Sequence, residues 1–379
     1  MLRWKGKIEL ILIAITLAAS VFGSTYLLSH QFSTDEVRVR GFYMEPKDSL
    51  DMVIIGSSAV YTTFNSSIAW KEEGFTSYAL ATSGAPMGLA KSMVKEVQRT
   101  QKPKLILIDL NGILYDDDAE QREGVTRLWV DNMELTENKV EAVQELTTGD
   151  EVFSWYLPIY KYHDNWEKIS ACLRYTSYEW KMRTGERLPY SFTMRSISGT
   201  SNRKKLIDVR NYKEKQSLYP LSGKRFRELM QYLKEQNLVN QVAFFNMPRY
   251  YDNKMLRERK LLNEAEEIAT KEGFKVYDFD REIDRMNLDP NRDYYNSGHL
   301  NMDGQIKATK YIANRINQDY QLSATKHSED LKKRWDTEYA DYQKVFAYYR
   351  NNMKEGKREE ITVEIIDKVL SNNKGDNNE

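Results

Sequence analysis

The sequence predicts an α/β fold in which helices cover a parallel sheet. Two observations carry this. Short apolar runs recur at 52–55, 77–80, 105–110, 242–245 and 275–278, and segments with helical apolar spacing lie at 90–100, 223–236, 251–272 and 302–318. Runs of that length bounded by turn signals read as buried strands, and strands alternating with helices require the crossovers of a parallel sheet. The segment 90–100 puts Met93, Val94 and Val97 on one face, as a covering helix needs. With 379 residues, 41% of them hydrophobic, the chain is long enough to bury a full core in one large domain or two.

The N-terminus departs from this pattern. Residues 10–28 are apolar or small throughout and follow Arg3, Lys5 and Lys7. A run of about 19–20 residues spans the ~30 Å hydrocarbon layer, and flanking cations favour a cytoplasmic N-terminus. The expectation is an uncleaved single-pass anchor in the cell membrane with the remaining chain outside. A cleavable signal peptide is the competing reading, but the run exceeds the usual h-region of about 7–15 residues and no Ala-x-Ala site follows it. Residues 31–50, with Arg38, Arg40, Pro46 and Lys47, read as a polar stalk.

Between about 116 and 219 the strand signal fades while aromatics and charges rise, which predicts a largely helical insertion in an α/β domain spanning 51–322. Beyond 322, Trp335, Tyr339, Tyr342, Val345 and Tyr349 recur at three-to-four-residue spacing, so a helical extension over 323–371 is expected to pack back on the body. Residues 372–379 read as a disordered tail.

Composition removes several function classes. The 56 Lys and Arg balance 56 Asp and Glu and form no basic stripe interleaved with aromatics, so nucleic acid is not an expected partner. The single cysteine, Cys172, allows no internal disulfide and reads as a small buried hydrophobe. Four histidines without paired ligand spacing give no metal site, and no cofactor is expected.

What remains is a serine and a histidine. Gly56-Ser57-Ser58 ends the first strand at the carboxyl edge, where open α/β sheets bind ligands. Asn296-Ser297-Gly298-His299-Leu300-Asn301 lies near the close of the domain. An alcohol attacks an acyl carbon only if a base takes its proton, so Ser58 reads as nucleophile and His299 as base. A group three residues before the histidine is placed to hold its ring, and that residue is Asn296; Asp293 is a second candidate nearby. Ser83-Gly84-Ala85-Pro86 and Asn111-Gly112 follow the next two strands and offer oxyanion donors, Gly84 through its backbone N–H and Asn111 through its side-chain amide. Each motif alone also reads as a helix cap or a turn.

Taken in order, Ile55-Gly56-Ser57-Ser58, Ser83-Gly84-Ala85-Pro86, a strand ending near Asn111, and Gly298-His299-Leu300-Asn301 resemble the SGNH (GDSL-like) hydrolase superfamily. The closer likeness is to its membrane-anchored bacterial branch, with the D-alanyl-lipoteichoic acid proteins of the DltD type and alginate-type O-acetyltransferases. Residues 102–109, Arg127 with Asp131-Asn132-Met133, and Tyr162-His163 with Trp166 share in that likeness, which spans roughly 50–320. The resemblance implies a flavodoxin-like three-layer α/β/α fold outside the membrane. It implies a serine esterase or O-acyltransferase acting on a cell-wall polymer or exopolysaccharide, often beside a multipass membrane O-acyltransferase. Carried onto this chain, Ser58 is the nucleophile, His299 the base, and the Ser58 N–H, the Gly84 N–H and Asn111 the oxyanion hole. Asn296 stands where that family has Asp, Ala59 where it often has His or Glu, and Ala85 where it has Gln. The alternative is therefore a catalytically degenerate domain that serves a membrane O-acyltransferase system as a binding or assembly factor.

Overall fold

Five strands, β1 (Met52–Gly56), β2 (Ser77–Ala81), β3 (Leu105–Asp109), β4 (Val242–Asn246) and β5 (Lys275–Asp278), pair in parallel in the order β2-β1-β3-β4-β5. They belong to a computed structural model that describes residues 4–147, 152–189, 206–354 and 362–372. β2 follows β1 on one side and β3 lies on the other, so the order reverses at β1, the switch point at whose carboxyl edge open α/β sheets bind ligands. Ile55, the penultimate residue of β1, pairs with Leu80 and Ile108 in register.

Because side chains alternate along a strand, each strand feeds two cores. Val53, Ile55, Ile106, Ile108 and Phe244 enter one, and Met52, Ile54, Leu105, Leu107 and Phe245 enter the other. Burial on both faces explains why these strands read as unbroken apolar runs.

Before the sheet come α1 (Trp4–Leu28) and α2 (Thr34–Phe42). β1 and β2 are linked by two short helices, α3 (Ser58–Thr63) and α4 (Ser66–Glu73), and α5 (Met87–Thr100) joins β2 to β3. The insertion contributes α6 (Glu123–Val130), α7 (Glu137–Leu146) and α8 (Ile169–Arg183), with single turns at Asp117–Glu120, Phe153–Tyr156 and Ile159–Tyr162. Then come α9 (Pro220–Glu235), α10 (Leu256–Lys271), α11 (Met302–Tyr320), α12 (Glu329–Lys354) and α13 (Val363–Asn372). Residues of α5, α9 and α10 fill the first core, and residues of α3, α4 and α11 fill the second.

Four differences from the sequence reading have physical causes. Residues 31–50 hold α2, whose Val37, Val39 and Phe42 are buried. Its charges are spent internally: Asp35 pairs with Arg38 at 2.8 Å, and Arg38 Nη1 donates to the Ala81 carbonyl at the end of β2. The helix expected from 251 starts at Leu256, because Tyr251 forms a β-bridge with Ile207 and the Asp252 carboxylate caps the N–H groups of Lys254 and Met255. Asn296-Ser297-Gly298, which alone reads as a turn, is the tip of a hairpin of β6 (Tyr294–Asn296) and β7 (His299–Leu300), two strands too short to show alternation. The helices α3 and α4 are too short for the sequence to show a period.

At the N-terminus α1 is long and apolar enough to span a membrane or to act as a signal sequence, and none of its apolar stretch Gly6–Leu28 is buried in the body. Cys172 is buried. Of the expected tail, Asn372 ends α13 and 373–379 lie outside the described residues.

The C-terminal segment has Trp335, Tyr342, Val345 and Tyr349 buried and Tyr339 half-buried. It also carries a buried acid: Ser67 Oγ of α4 donates to Glu338 Oε1 at 2.9 Å. Burial, reinforced by Glu45, pushes the Glu338 carboxyl up to about 8. An acid whose folded pKa lies above its unfolded value of 4.5 contributes stability that is complete below 4.5 and is lost as pH rises through about 8. The melting temperature of the wild-type chain is therefore expected to fall between about pH 6 and about pH 9 more steeply than that of Glu338→Gln. Parallel melting curves for the two proteins check this.

Candidate functional site

The two serines after β1 have different duties. At Gly56 a Cβ would overlap Asp109 Cβ on the neighbouring strand and lie 2.7 Å from Val60 Cγ2, so only glycine lets β1 and β3 end side by side. Ser57 follows in an extended conformation and N-caps α3, with Oγ accepting from the Ala59 N–H. The same hydroxyl donates to Asp109 Oδ2 at 2.9 Å, and the residue is fully buried. Ser58 opens α3 and is half-exposed at the crevice, with Oγ 2.8 Å from His299 Nε2.

The β6–β7 hairpin delivers the histidine. Tyr294 and Leu300 are buried and pair across it, which anchors its base. Asn301 caps α11 by accepting from Asp303 N and Gly304 N. The Gly304 backbone passes so close to the Asp293 carbonyl that a Cβ there would overlap it. At the tip, Tyr250 N donates to the Ser297 carbonyl at 3.2 Å, tying the hairpin to the loop after β4.

Asn296 Oδ1 lies 2.8 Å from His299 Nδ1 and accepts the Gly298 N–H at 3.0 Å. That second bond decides the amide orientation, because a backbone N–H requires an oxygen opposite it. The atom facing Nδ1 is then an acceptor, so Nδ1 carries the proton and Nε2 is free to receive one from Ser58. Ser58, His299 and Asn296 thus form one hydrogen-bonded line. Asp293, the second candidate, is buried elsewhere: its carboxylate pairs with Lys307 at 2.8 Å and accepts the Asp289 N–H.

Asn111 belongs to a second set, built on Ser57 next to the nucleophile position. Its Nδ2 donates to Ser57 Oγ at 2.9 Å and carries a second N–H, while its Oδ1 accepts from Arg249 Nη2 at 2.5 Å. Asp109 beneath it is buried, and that burial raises its pKa against the opposing pull of the Asn111 N–H and Arg249. Arg249 is buried too and also meets Glu258 at 2.8 Å, while its backbone N–H donates to Asp280 Oδ1. Burial works against the guanidinium charge, but Tyr251, Asp280 and Glu258 outweigh it and hold the group protonated. Sequence reasoning missed both Arg249 and the buried role of Asp109. The available signal was a charged residue, Arg249, just past the strand that ends at Asn246, at the same sheet edge as Ser58.

Gly84 takes φ +64°, the left-handed region that favours glycine. Its loop is held by Asp35 of α2, whose carboxylate accepts from Ser83 N at 3.0 Å and Ser83 Oγ at 2.8 Å. Tyr61 Oη, from α3, lies 2.7 Å from the same Ser83 hydroxyl. At Gly112 a Cβ would come within 2.8 Å of Met87 N, so the loops after β2 and β3 pack backbone to backbone there. The structure thus joins Ser58, His299 and Asn296 in one hydrogen-bonded line and puts Asn111 in a second set with Ser57, Asp109 and Arg249, which meets the first through the Ser57–Ser58 peptide bond. Gly84 is tied to α3 through its neighbour Ser83.

No protein-family model matches the chain, and no curated protein matches it.

Proposed function

We propose that the chain is an SGNH-type serine esterase or O-acyltransferase that works outside the cell membrane on a cell-wall polymer or exopolysaccharide, through an acyl-enzyme on Ser58. The observation that carries this reading is the hydrogen-bonded line from Ser58 Oγ through His299 to an acceptor oxygen on Asn296. His299 Nε2 takes the proton as Ser58 Oγ bonds to the acyl carbonyl carbon. The carbonyl becomes an oxyanion, received by the Ser58 N–H, the Gly84 N–H and the second N–H of Asn111 Nδ2. When the oxyanion collapses, the bond to the departing alcohol breaks and His299 returns the proton to it. A polymer hydroxyl, or water, then repeats the sequence in reverse and releases Ser58. A flavodoxin-like three-layer arrangement fits the strand order 2-1-3-4-5, and a multipass membrane O-acyltransferase is the partner this reading proposes.

A fluorophosphonate probe offered to the purified full chain is expected to modify Ser58, and Ser58→Ala and His299→Ala are expected to abolish the signal. Absence of labelling together with absence of acyl-ester turnover overturns the reading.

Asn296 favours a second reading, a binding or assembly factor with little chemistry, because an amide orients an imidazole without balancing imidazolium charge. Asn296→Asp separates the two. In serine proteases the reverse change costs ~10⁴ in kcat, largely through the wrong tautomer. Here the tautomer is already set by Oδ1, so only the charge is missing, and the expected gain in kcat is about 10- to 100-fold. Unchanged, negligible turnover in Asn296→Asp supports the assembly role.

A further inference from the structure

Helix α8 has two different faces. Cys172, Tyr175, Tyr178 and Met182 are buried, while Ile169, Leu173 and Trp180 point outward at spacings of four and seven residues. Trp166, at 64% exposure, extends the stripe, and Trp180 is 62% exposed. Tyr160, on the turn that packs against the segment of Trp166, is exposed as well, and so is Phe153 on the turn before it. Water does not favour so many large apolar side chains exposed on neighbouring elements.

The location of this stripe identifies what covers it. The end of α1 packs against the turn Ile159–Tyr162, the segment His163–Lys168 and α8. Asn165 Nδ2 donates to the carbonyls of Leu28 and His30, at 2.7 and 2.8 Å, and His30 Nε2 lies 2.9 Å from Thr176 Oγ1. The residue next to Trp166 therefore grips the point where the apolar helix ends, and the stripe starts at that level. The exposed cations Lys161, Lys168 and Arg174 flank it. Tryptophan and tyrosine beside lysine and arginine are the residues of the membrane–water interface, where an apolar ring enters the acyl boundary and its polar edge stays with the headgroups.

We propose that the face carrying Phe153, Tyr160, Trp166, Ile169, Leu173 and Trp180 lies in the headgroup layer of the bilayer that α1 crosses, as a second, monotopic membrane contact. This rests on α1 being a membrane span and is independent of the chemistry at Ser58. A rigid clamp plus an interfacial face fixes the tilt of the domain, and with it the height of the Ser58 crevice above the lipid. A lone span would leave that height free.

The test uses the full chain reconstituted in nanodiscs of phosphatidylglycerol and phosphatidylcholine, with acyl chains brominated near the headgroup. Trp4→Phe removes the tryptophan on α1, and Trp70, Trp129, Trp155 and Trp335 are buried at 9% exposure or less. The emission lost on adding Trp166→Phe and Trp180→Phe then reports the two stripe residues. That emission is expected to drop about twofold in brominated relative to ordinary discs and to resist aqueous iodide. Leu173→Asp, at an exposed position, is expected to reverse both effects without unfolding the chain. Two stripe tryptophans that ignore bromine and respond to iodide overturn the proposal and assign the face to a protein partner. A chain that fails to enter the discs at all overturns the span itself, a separate outcome.

Discussion

Ser58→Ala is expected to lower acyl-ester turnover by about 10⁶-fold, the loss found when a serine nucleophile is removed from a triad. Stability should barely move. Ser58 Oγ is half-exposed and its bond to His299 is a crevice contact, so its loss belongs with surface changes of about 0.5 kcal/mol or less. The neighbouring Ser57→Ala should behave in the opposite way. Ser57 caps α3, donates to Asp109 and accepts from Asn111, so its removal leaves a buried carboxylate short of a donor. His299→Ala is expected to match Ser58→Ala, and the double substitution to cost no more than either alone, because the two groups act as one unit. Steady-state kinetics and melting curves on the four variants measure this pattern.

Arg249→Met is expected to destabilise the fold by about 3–5 kcal/mol, the cost of removing one partner from a buried ionic cluster. The guanidinium faces Asn111 Oδ1 and Glu258, stands near Asp280, and is the cation whose field reaches buried Asp109. Arg259 compensates on one side only, donating to Asp280 Oδ2 at 3.1 Å. Arg249→Lys keeps the charge but loses the planar fork, so it should retain most of the stability while freeing the Asn111 amide. For that variant kcat is expected to fall about 10²-fold, the cost of one oxyanion donor out of place, with KM little changed. Chemical unfolding followed beside kcat separates the two roles; equal losses in both variants would make Arg249 a purely structural residue.

The sequence disclosed the parts of this molecule whose physics is local. Strands buried on both faces must be apolar throughout, so β1 to β5 were visible as runs, and β5 at 275–278 was placed to the residue. Ser58 and His299 were visible because a strand end and a glycine turn announce themselves within a few residues. Asn296 followed from its place three residues before the ring, a reach its Oδ1 makes at 2.8 Å. The parts that stayed hidden depend on distant partners. α2 looked like a polar stalk because Asp35 and Arg38 are charged, yet they satisfy each other and the loop after β2 inside the protein. Arg249 reaches Asn111 across 138 residues of chain, a pairing that no local pattern encodes. Glu338 drew no reading at all, because its burial depends on Ser67 of α4, far away in the chain.

The central claim is that Ser58 carries the acyl group. It is tested most directly by acid-quenching the full chain during turnover of an activated acetyl ester and weighing its peptides. The account predicts one added acetyl group on the peptide containing Ser58, released by hydroxylamine and absent in both Ser58→Ala and His299→Ala. Sustained ester turnover by Ser58→Ala, with no acyl adduct on the wild-type peptide, would contradict it.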